Sequence, residues 1–181
     1  MPGPLRPHLI CIDGPAGAGK TTLAGRLHAA EPDSAVVHLD HLYDGWGDPL
    51  GEDFAQRLLD QVVEPWLAGS GPHYQRYDWE IGVFAEWVSL PYTRVLIIEG
   101  VGAGCAQVRR HASALYFLEV DPLAAWERVV ARDGEHVAAH LEQWQRKEAA
   151  HFIANRTREA ANIVLPAGSW TGSAAGDRGD D

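Results

Sequence analysis

The sequence predicts a three-layer α/β fold built on a five-stranded parallel sheet, with an aromatic β-hairpin insertion and a helical lid. Three observations predict it. Apolar runs of strand length alternate with helical stretches along most of the chain, the pattern of a parallel sheet covered on both faces. The glycine-rich segment Gly14-Pro15-Ala16-Gly17-Ala18-Gly19-Lys20-Thr21 joins the first strand to the first helix. Acids or glycines stand where the apolar runs stop, at Asp13, Asp40, Glu99 and Gly100.

The elements follow in order. Met1-Pro2-Gly3-Pro4 cannot continue a strand or helix, so residues 1–7 are expected to be loose. Strand 8–12, helix 19–30 and strand 35–39 come next, then a helix over 52–68 with Phe54, Leu58, Leu59, Val62, Val63 and Trp66 on one side. Residues 72–90 differ in character: Tyr74, Tyr77, Trp79, Phe84 and Trp87 are separated by charges and Gly82, which predicts the hairpin. Strand 94–98 (Arg94-Val95-Leu96-Ile97-Ile98), strand 114–120 and strand 161–165 complete the sheet. Helices 122–132 and 137–159 are separated by Asp133-Gly134-Glu135, a break suited to a lid hinge. The stretch 8–167 therefore reads as one domain, and the Gly-, Ser- and Asp-rich tail 168–181, with the isolated Trp170, reads as disordered.

Composition excludes several classes of function. With 15 Lys+Arg against 25 Asp+Glu and a net charge of −10, neither nucleic acid nor an anionic membrane is expected as a partner. Neither a signal peptide nor a long apolar run is present, and Cys11 and Cys105 fall in or beside predicted buried elements, so a cytoplasmic location is expected. The nine histidines are scattered, and only His136 and His140 share a helical spacing, too little for a metal site. A homodimer is compatible with the composition.

Chemistry enters with the glycine-rich segment, a complete G-x-x-x-x-G-K-[ST] phosphate loop. Backbone N–H groups of Gly14, Ala16, Gly17, Ala18, Gly19, Lys20, Thr21 and Thr22 are candidates to cradle the phosphates of ATP. Lys20 reaches the β- and γ-phosphates, and the Thr21 hydroxyl is placed for Mg²⁺. In an open α/β sheet ligands bind beyond the carboxyl ends of the strands. Asp40 is there a candidate base for an acceptor hydroxyl, with a helix cap or turn as the structural alternative. Glu99 is a candidate for the Mg²⁺ shell, acting through water, and Gly100-Val101-Gly102-Ala103-Gly104 lets the backbone pass close by. Arg128 and Arg132, four apart before the helix break, are candidates to close over the triphosphate, unless they pair with Glu127, Asp133 or Glu135. Tyr77 and Trp79 alternate with Asp78 and Glu80 and can stack a flat ring, and Tyr43 is a further candidate for the same pocket. Lys147, Arg146, Arg156 and Arg158 read as helix-face charges. Leu165-Pro166-Ala167-Gly168 is placed for the adenine side.

The ordered set Gly14 to Thr22, Asp40-His41-Leu42-Tyr43, Tyr77-Asp78-Trp79, Ile98-Glu99-Gly100-Val101 and Arg128 with Arg132-Asp133 resembles the uridine kinase-like branch of the P-loop nucleoside and nucleoside monophosphate kinases, over about residues 8–165. The resemblance implies a P-loop NTPase fold and a Mg-ATP-dependent kinase acting on a hydroxyl of a nucleoside or nucleoside-like small molecule. It implies Asp40 as general base, Tyr43 as holding the acceptor, Tyr77, Asp78 and Trp79 as lining the nucleoside pocket, and Arg128 and Arg132 as lid arginines on ATP phosphates. Where uridine kinases place a base-reading histidine, Glu80-Ile81-Gly82-Val83 follows here. A kinase of another hydroxylated metabolite or antibiotic stays open, as does a non-catalytic ATP-binding regulatory protein. A GTPase is disfavoured, since neither Lys20 nor Lys147 lies in an Asn-Lys-x-Asp segment.

Overall fold

The computed structural model describes residues 7–169, so most of the expected loose N-terminus and tail, Trp170 included, lies outside the described residues. In chain order the elements are β1 (His8–Asp13), α1 (Lys20–Ala30), β2 (Ser34–His38), α2 (Glu52–Leu58), α3 (Glu64–Leu67), β3 (His73–Asp78), β4 (Val83–Ser89), β5 (Val95–Glu99), α4 (Ala106–Arg109), β6 (Ala114–Glu119), α5 (Pro122–Asp133), α6 (Ala138–Asn155), α7 (Thr157–Ala160) and β7 (Ile163–Pro166). Five strands form one parallel sheet in the order β2-β5-β1-β6-β7, and β3 and β4 form the separate antiparallel hairpin. The expected fold class is the observed one.

Alternation along the central strands divides the core between two faces. Leu9, Cys11, Leu96 and Ile98 pack with Phe54, Leu58, Trp66 and Trp144 on one side. Ile12, Val95 and Ile97 pack with Leu23 and Ala24 of α1 on the other. Each central strand is thus apolar on both faces, as a sheet covered twice demands.

Three local departures have physical reasons. The helix expected over 52–68 contains a π turn at Leu59–Val63 between α2 and α3. The widened turn keeps Leu58, Leu59, Val62, Val63 and Trp66 all buried. The helix expected over 137–159 ends at Asn155, because Arg156 adopts the left-handed conformation (φ 50°), and α7 follows as a separate turn. The short α4, not expected from sequence, is held by Asn155, whose side-chain oxygen accepts from the Ala106 amide at 3.0 Å. The expected break at 133–135 is present: α5 ends on Gly134 at φ 95°. At the other end of α5, Asp121 caps the helix by accepting from the Leu123 and Ala124 amides, a contribution of about 1 kcal/mol.

The hairpin carries a bulge between Gln75 and Tyr77. Strict alternation would send Tyr74 and Tyr77 to opposite faces; the extra residue turns both inward, where both are buried.

Candidate active site

The carboxyl ends of β1, β2 and β5 converge, with His38 and Ile12 each in register with Glu99. The phosphate loop leaves β1 there, fixed by Asp13. That carboxylate is fully buried and accepts from the amides of Gly14 (2.8 Å), Gly102 (2.9 Å) and Gly104 (2.8 Å). Burial pushes its carboxyl up, and the three amides pull it back. Asp13 therefore ties the loop after β1 to the loop after β5 and does not face a ligand. Gly14 is required by its neighbours: at φ +136°, a Cβ would stand 2.3 Å from the Leu118 carbonyl.

A cleft of about 310 Å³ opens above the loop. Ala16, Gly17, Gly19, Lys20, Thr21 and Thr22 line its floor, with Asp40, Tyr43, Glu99, Arg128 and Arg132 around it. Most of the residues singled out from sequence are thus brought together. Gly14 and Ala18 lie behind the floor, Ala18 being buried in the second core cluster. Tyr77 is not part of the wall. It is buried with its ring edge-on to both Phe84 and Trp79 at 5.1 Å.

Lys20 is buried, and its Nζ donates to the carbonyls of Gly14 and Pro15 at 2.8 Å. Burial pulls its pKa down, opposed by Glu99 and Glu148. The Thr21 hydroxyl donates to Glu99 Oε1 at 2.9 Å, and His38 Nδ1 meets the same oxygen at 2.6 Å. Burial alone would raise the Glu99 pKa; the His38 hydrogen bond and the Lys20 charge outweigh it and hold the group below its ordinary value. Asp40 sits in a single 3-10 turn (Leu39–His41) immediately after β2. Its residue opens on the cleft, yet the surrounding walls raise its pKa and Glu99 adds to the rise, with Lys20 and Arg132 opposing. Tyr43 is buried, and its hydroxyl is committed to the Val101 carbonyl at 2.9 Å, so only its ring can form a wall. Arg128 donates to the Gly17 carbonyl at 3.2 Å, and Arg132 pairs with Asp133 through two 2.7 Å bonds.

Trp79 touches the site through its edge: Nε1 donates to the Asp40 carbonyl at 3.0 Å. Its ring meets Trp46 at 5.1 Å, and Trp46 stacks on His140 (4.9 Å, 12°) and lies edge-on to Trp144 at 5.9 Å. Lys147, read as a helix-face charge, instead donates to the carbonyls of Trp46 and Gly47. Trp46, Trp144, Lys147 and Glu148 were missed, although a Trp-x-x-x-Glu spacing on a predicted lid helix was a usable signal. Arg128 also borders a second recess of about 560 Å³ against Pro166 and Ala167, beside the loop expected on the adenine side.

Oxygen donors suited to Mg²⁺ are present, since the Thr21 hydroxyl and the Glu99 carboxylate meet at the loop. Among the described residues no cluster of three or more His, Cys, Asp or Glu could hold a metal by itself, and no helix is long and apolar enough to cross a membrane.

Loop, sheet order and cleft together define a three-layer α/β phosphate-loop fold. The chain is 28% identical over 109 residues to uridine-cytidine kinase C of Dictyostelium discoideum, a match covering 56% of this chain and 24% of that protein. It thus spans about a quarter of the length of that curated relative. The structure of a possible uridine kinase from Bacillus stearothermophilus superposes with a TM-score of 0.65 at 19% identity, covering 88% of this chain and 89% of that one. An uncharacterized protein from Eubacterium ventriosum superposes at 0.51, with 15% identity over 88% of this chain and 87% of that one. No protein-family model matches the sequence. The resemblance read from the ordered motifs is met by this sequence relative, and the fold by the superposed structures.

Proposed function

We propose that this chain is a Mg-ATP-dependent kinase that transfers the γ-phosphoryl group to a hydroxyl of a nucleoside or nucleoside-like small molecule. The observation that carries the reading is that Asp40 lines the same cleft as Lys20, Thr21 and the phosphate loop. Phosphoryl transfer through a loose transition state needs positioning and charge neutralisation more than a strong base. Asp40 orients the acceptor hydroxyl and takes its proton, and its raised pKa brings it closer to that of a useful base at neutral pH. Lys20 exchanges its bonds to the Gly14 and Pro15 carbonyls for phosphate oxygens. Among the described residues the Arg132 guanidinium hydrogen-bonds to the adjacent Asp133 carboxylate near the surface, a partner that phosphate oxygens can replace. Thr21 and Glu99 would hold Mg²⁺, which would supply neutralisation of the negative charge on the transferring phosphoryl group. The recess beside Pro166 and Ala167 takes the base of ATP.

The test is ADP release from Mg-ATP against a panel of nucleosides, nucleoside monophosphates and hydroxylated metabolites. Asp40→Asn is expected to lower acceptor-dependent kcat by about 10²- to 10⁴-fold, and Lys20→Ala to abolish turnover. Turnover by an acceptor outside the nucleosides would move the substrate assignment; unchanged turnover in Asp40→Asn would remove the base assignment. ATP binding with no acceptor-dependent turnover would favour a regulatory protein.

A further inference from the structure

Glu148 is a buried carboxyl on α6 that the chemistry above does not use. Its Oε2 accepts two hydrogen bonds from two different walls of the cleft: the Ala16 amide of the phosphate loop at 3.0 Å and the Trp144 indole Nε1 at 2.9 Å. Ala16 and Trp144 both line the cleft. The i, i+4 spacing of Trp144 and Glu148 puts indole and carboxyl on one helix face. The neighbouring Lys147 and His140 hold the Trp46 segment through its carbonyls and its ring. One helix therefore grips the floor of the cleft and the aromatic wall beside Asp40.

We propose that Glu148 is a positioning residue that seats the phosphate loop and the Trp144 wall on a single oxygen, so that nucleotide and acceptor surfaces keep a fixed separation. The acceptor half of this rests on the kinase reading; the loop half does not. What the site requires is an acceptor oxygen at that reach rather than a permanent charge. Burial pushes the carboxyl up to about 7, with the Ala16 amide, the Lys20 charge and the Trp144 hydrogen bond opposing and Asp13 adding. Near neutral pH the group exists in both forms, and either form keeps an oxygen for the two N–H donors.

The test separates reach from charge. Glu148→Gln keeps the side-chain length and an acceptor oxygen, while Glu148→Asp keeps the charge but retracts it by about 1.5 Å, one carbon–carbon bond. Each is compared with the starting protein by steady-state kinetics, by calorimetric titration with Mg-ATP and by thermal melting; Trp144→Phe removes one arm only. Expected are near-unchanged kinetics and Mg-ATP affinity for Glu148→Gln. Glu148→Asp should weaken Mg-ATP binding about tenfold and lower kcat/KM for the acceptor at least as much, the scale of one lost charge-assisted hydrogen bond. Trp144→Phe should raise the acceptor KM and leave Mg-ATP affinity alone. The proposal is overturned if Glu148→Gln is as impaired as Glu148→Asp, which would make charge or proton transfer the role. It is also overturned if Glu148→Asp lowers only the melting temperature. Titration with Mg-ATP needs no acceptor, so the loop arm is decided even if the kinase reading fails.

Discussion

Replacing Asp13 by Asn tests how the phosphate loop is set. Oδ1 accepts from the Gly14 and Gly102 amides and Oδ2 from the Gly104 amide, so all three N–H groups converge on one buried carboxylate. Asn retains one oxygen and turns an NH₂ toward the third amide, or toward the other two if it flips. One charge-assisted bond is lost and two donors are left opposed in a site closed to water. The cost is about 2–4 kcal/mol. At roughly 2–4 °C per kcal/mol for a chain of this size, the melting temperature should fall by about 5–15 °C. Tryptophan fluorescence melts at neutral pH, with calorimetry as a check, measure it, and Mg-ATP affinity should weaken in parallel because Gly14 opens the loop. An unchanged melting temperature would refute the reasoning. Burial already outweighs the three amides and leaves the carboxyl raised; an unchanged melting temperature would mean that the rise is enough to hold it protonated, with an OH already standing where Asn places its NH₂.

Other consequences can be checked directly. Glu148 has its pKa raised from 4.5 to about 7 in the folded chain, so its contribution to stability is fully present below pH 4.5 and is lost as pH rises through about 7. At 1.36 kcal/mol per unit the loss approaches about 3 kcal/mol. Denaturant melts should show it as a slope between those pH values that is absent in Glu148→Gln. Trp79→Phe keeps an aromatic ring but deletes the bond from Nε1 to the Asp40 carbonyl. Acceptor kcat/KM should fall about three- to tenfold with Mg-ATP affinity unchanged, the scale of one neutral hydrogen bond.

What was legible in the sequence was what local physics encodes. The phosphate loop is a run of adjacent residues whose glycines the turn demands, and the sheet follows from apolar runs placed between helices. The break at Gly134 and the hairpin turn at Asp78 to Gly82, where the Asp78 carboxylate accepts from the Glu80 and Ile81 amides, are equally local. The π turn and the bulge at Gln75–Tyr77 were not legible, because each is an answer to packing: one extra residue is accommodated so that neighbouring apolar side chains all face inward. Glu148 was hidden for another reason. The i, i+4 spacing marks its bond to Trp144, but its partner Ala16 lies 132 positions away in sequence, and no local pattern announces that contact.

The same distinction bears on what the acceptor meets. Sequence alternation made Tyr77 and Trp79 equal partners on one strand face, but the bulge commits Tyr77 to the interior and leaves Trp79 at the turn, 41% exposed, with its nitrogen spent on the Asp40 backbone. Trp46 fills the place beside it and is held from the lid helix by His140, Trp144 and Lys147. On the kinase reading, the wall next to the base is therefore ring surface, with the indole nitrogens of Trp79 and Trp144 already hydrogen-bonded. Such a wall selects an acceptor by flat shape and leaves recognition of its polar groups to residues nearer the phosphates. Because that wall travels with α6, and α6 is tied to the loop through Glu148, loss of the tie should be felt by both substrates.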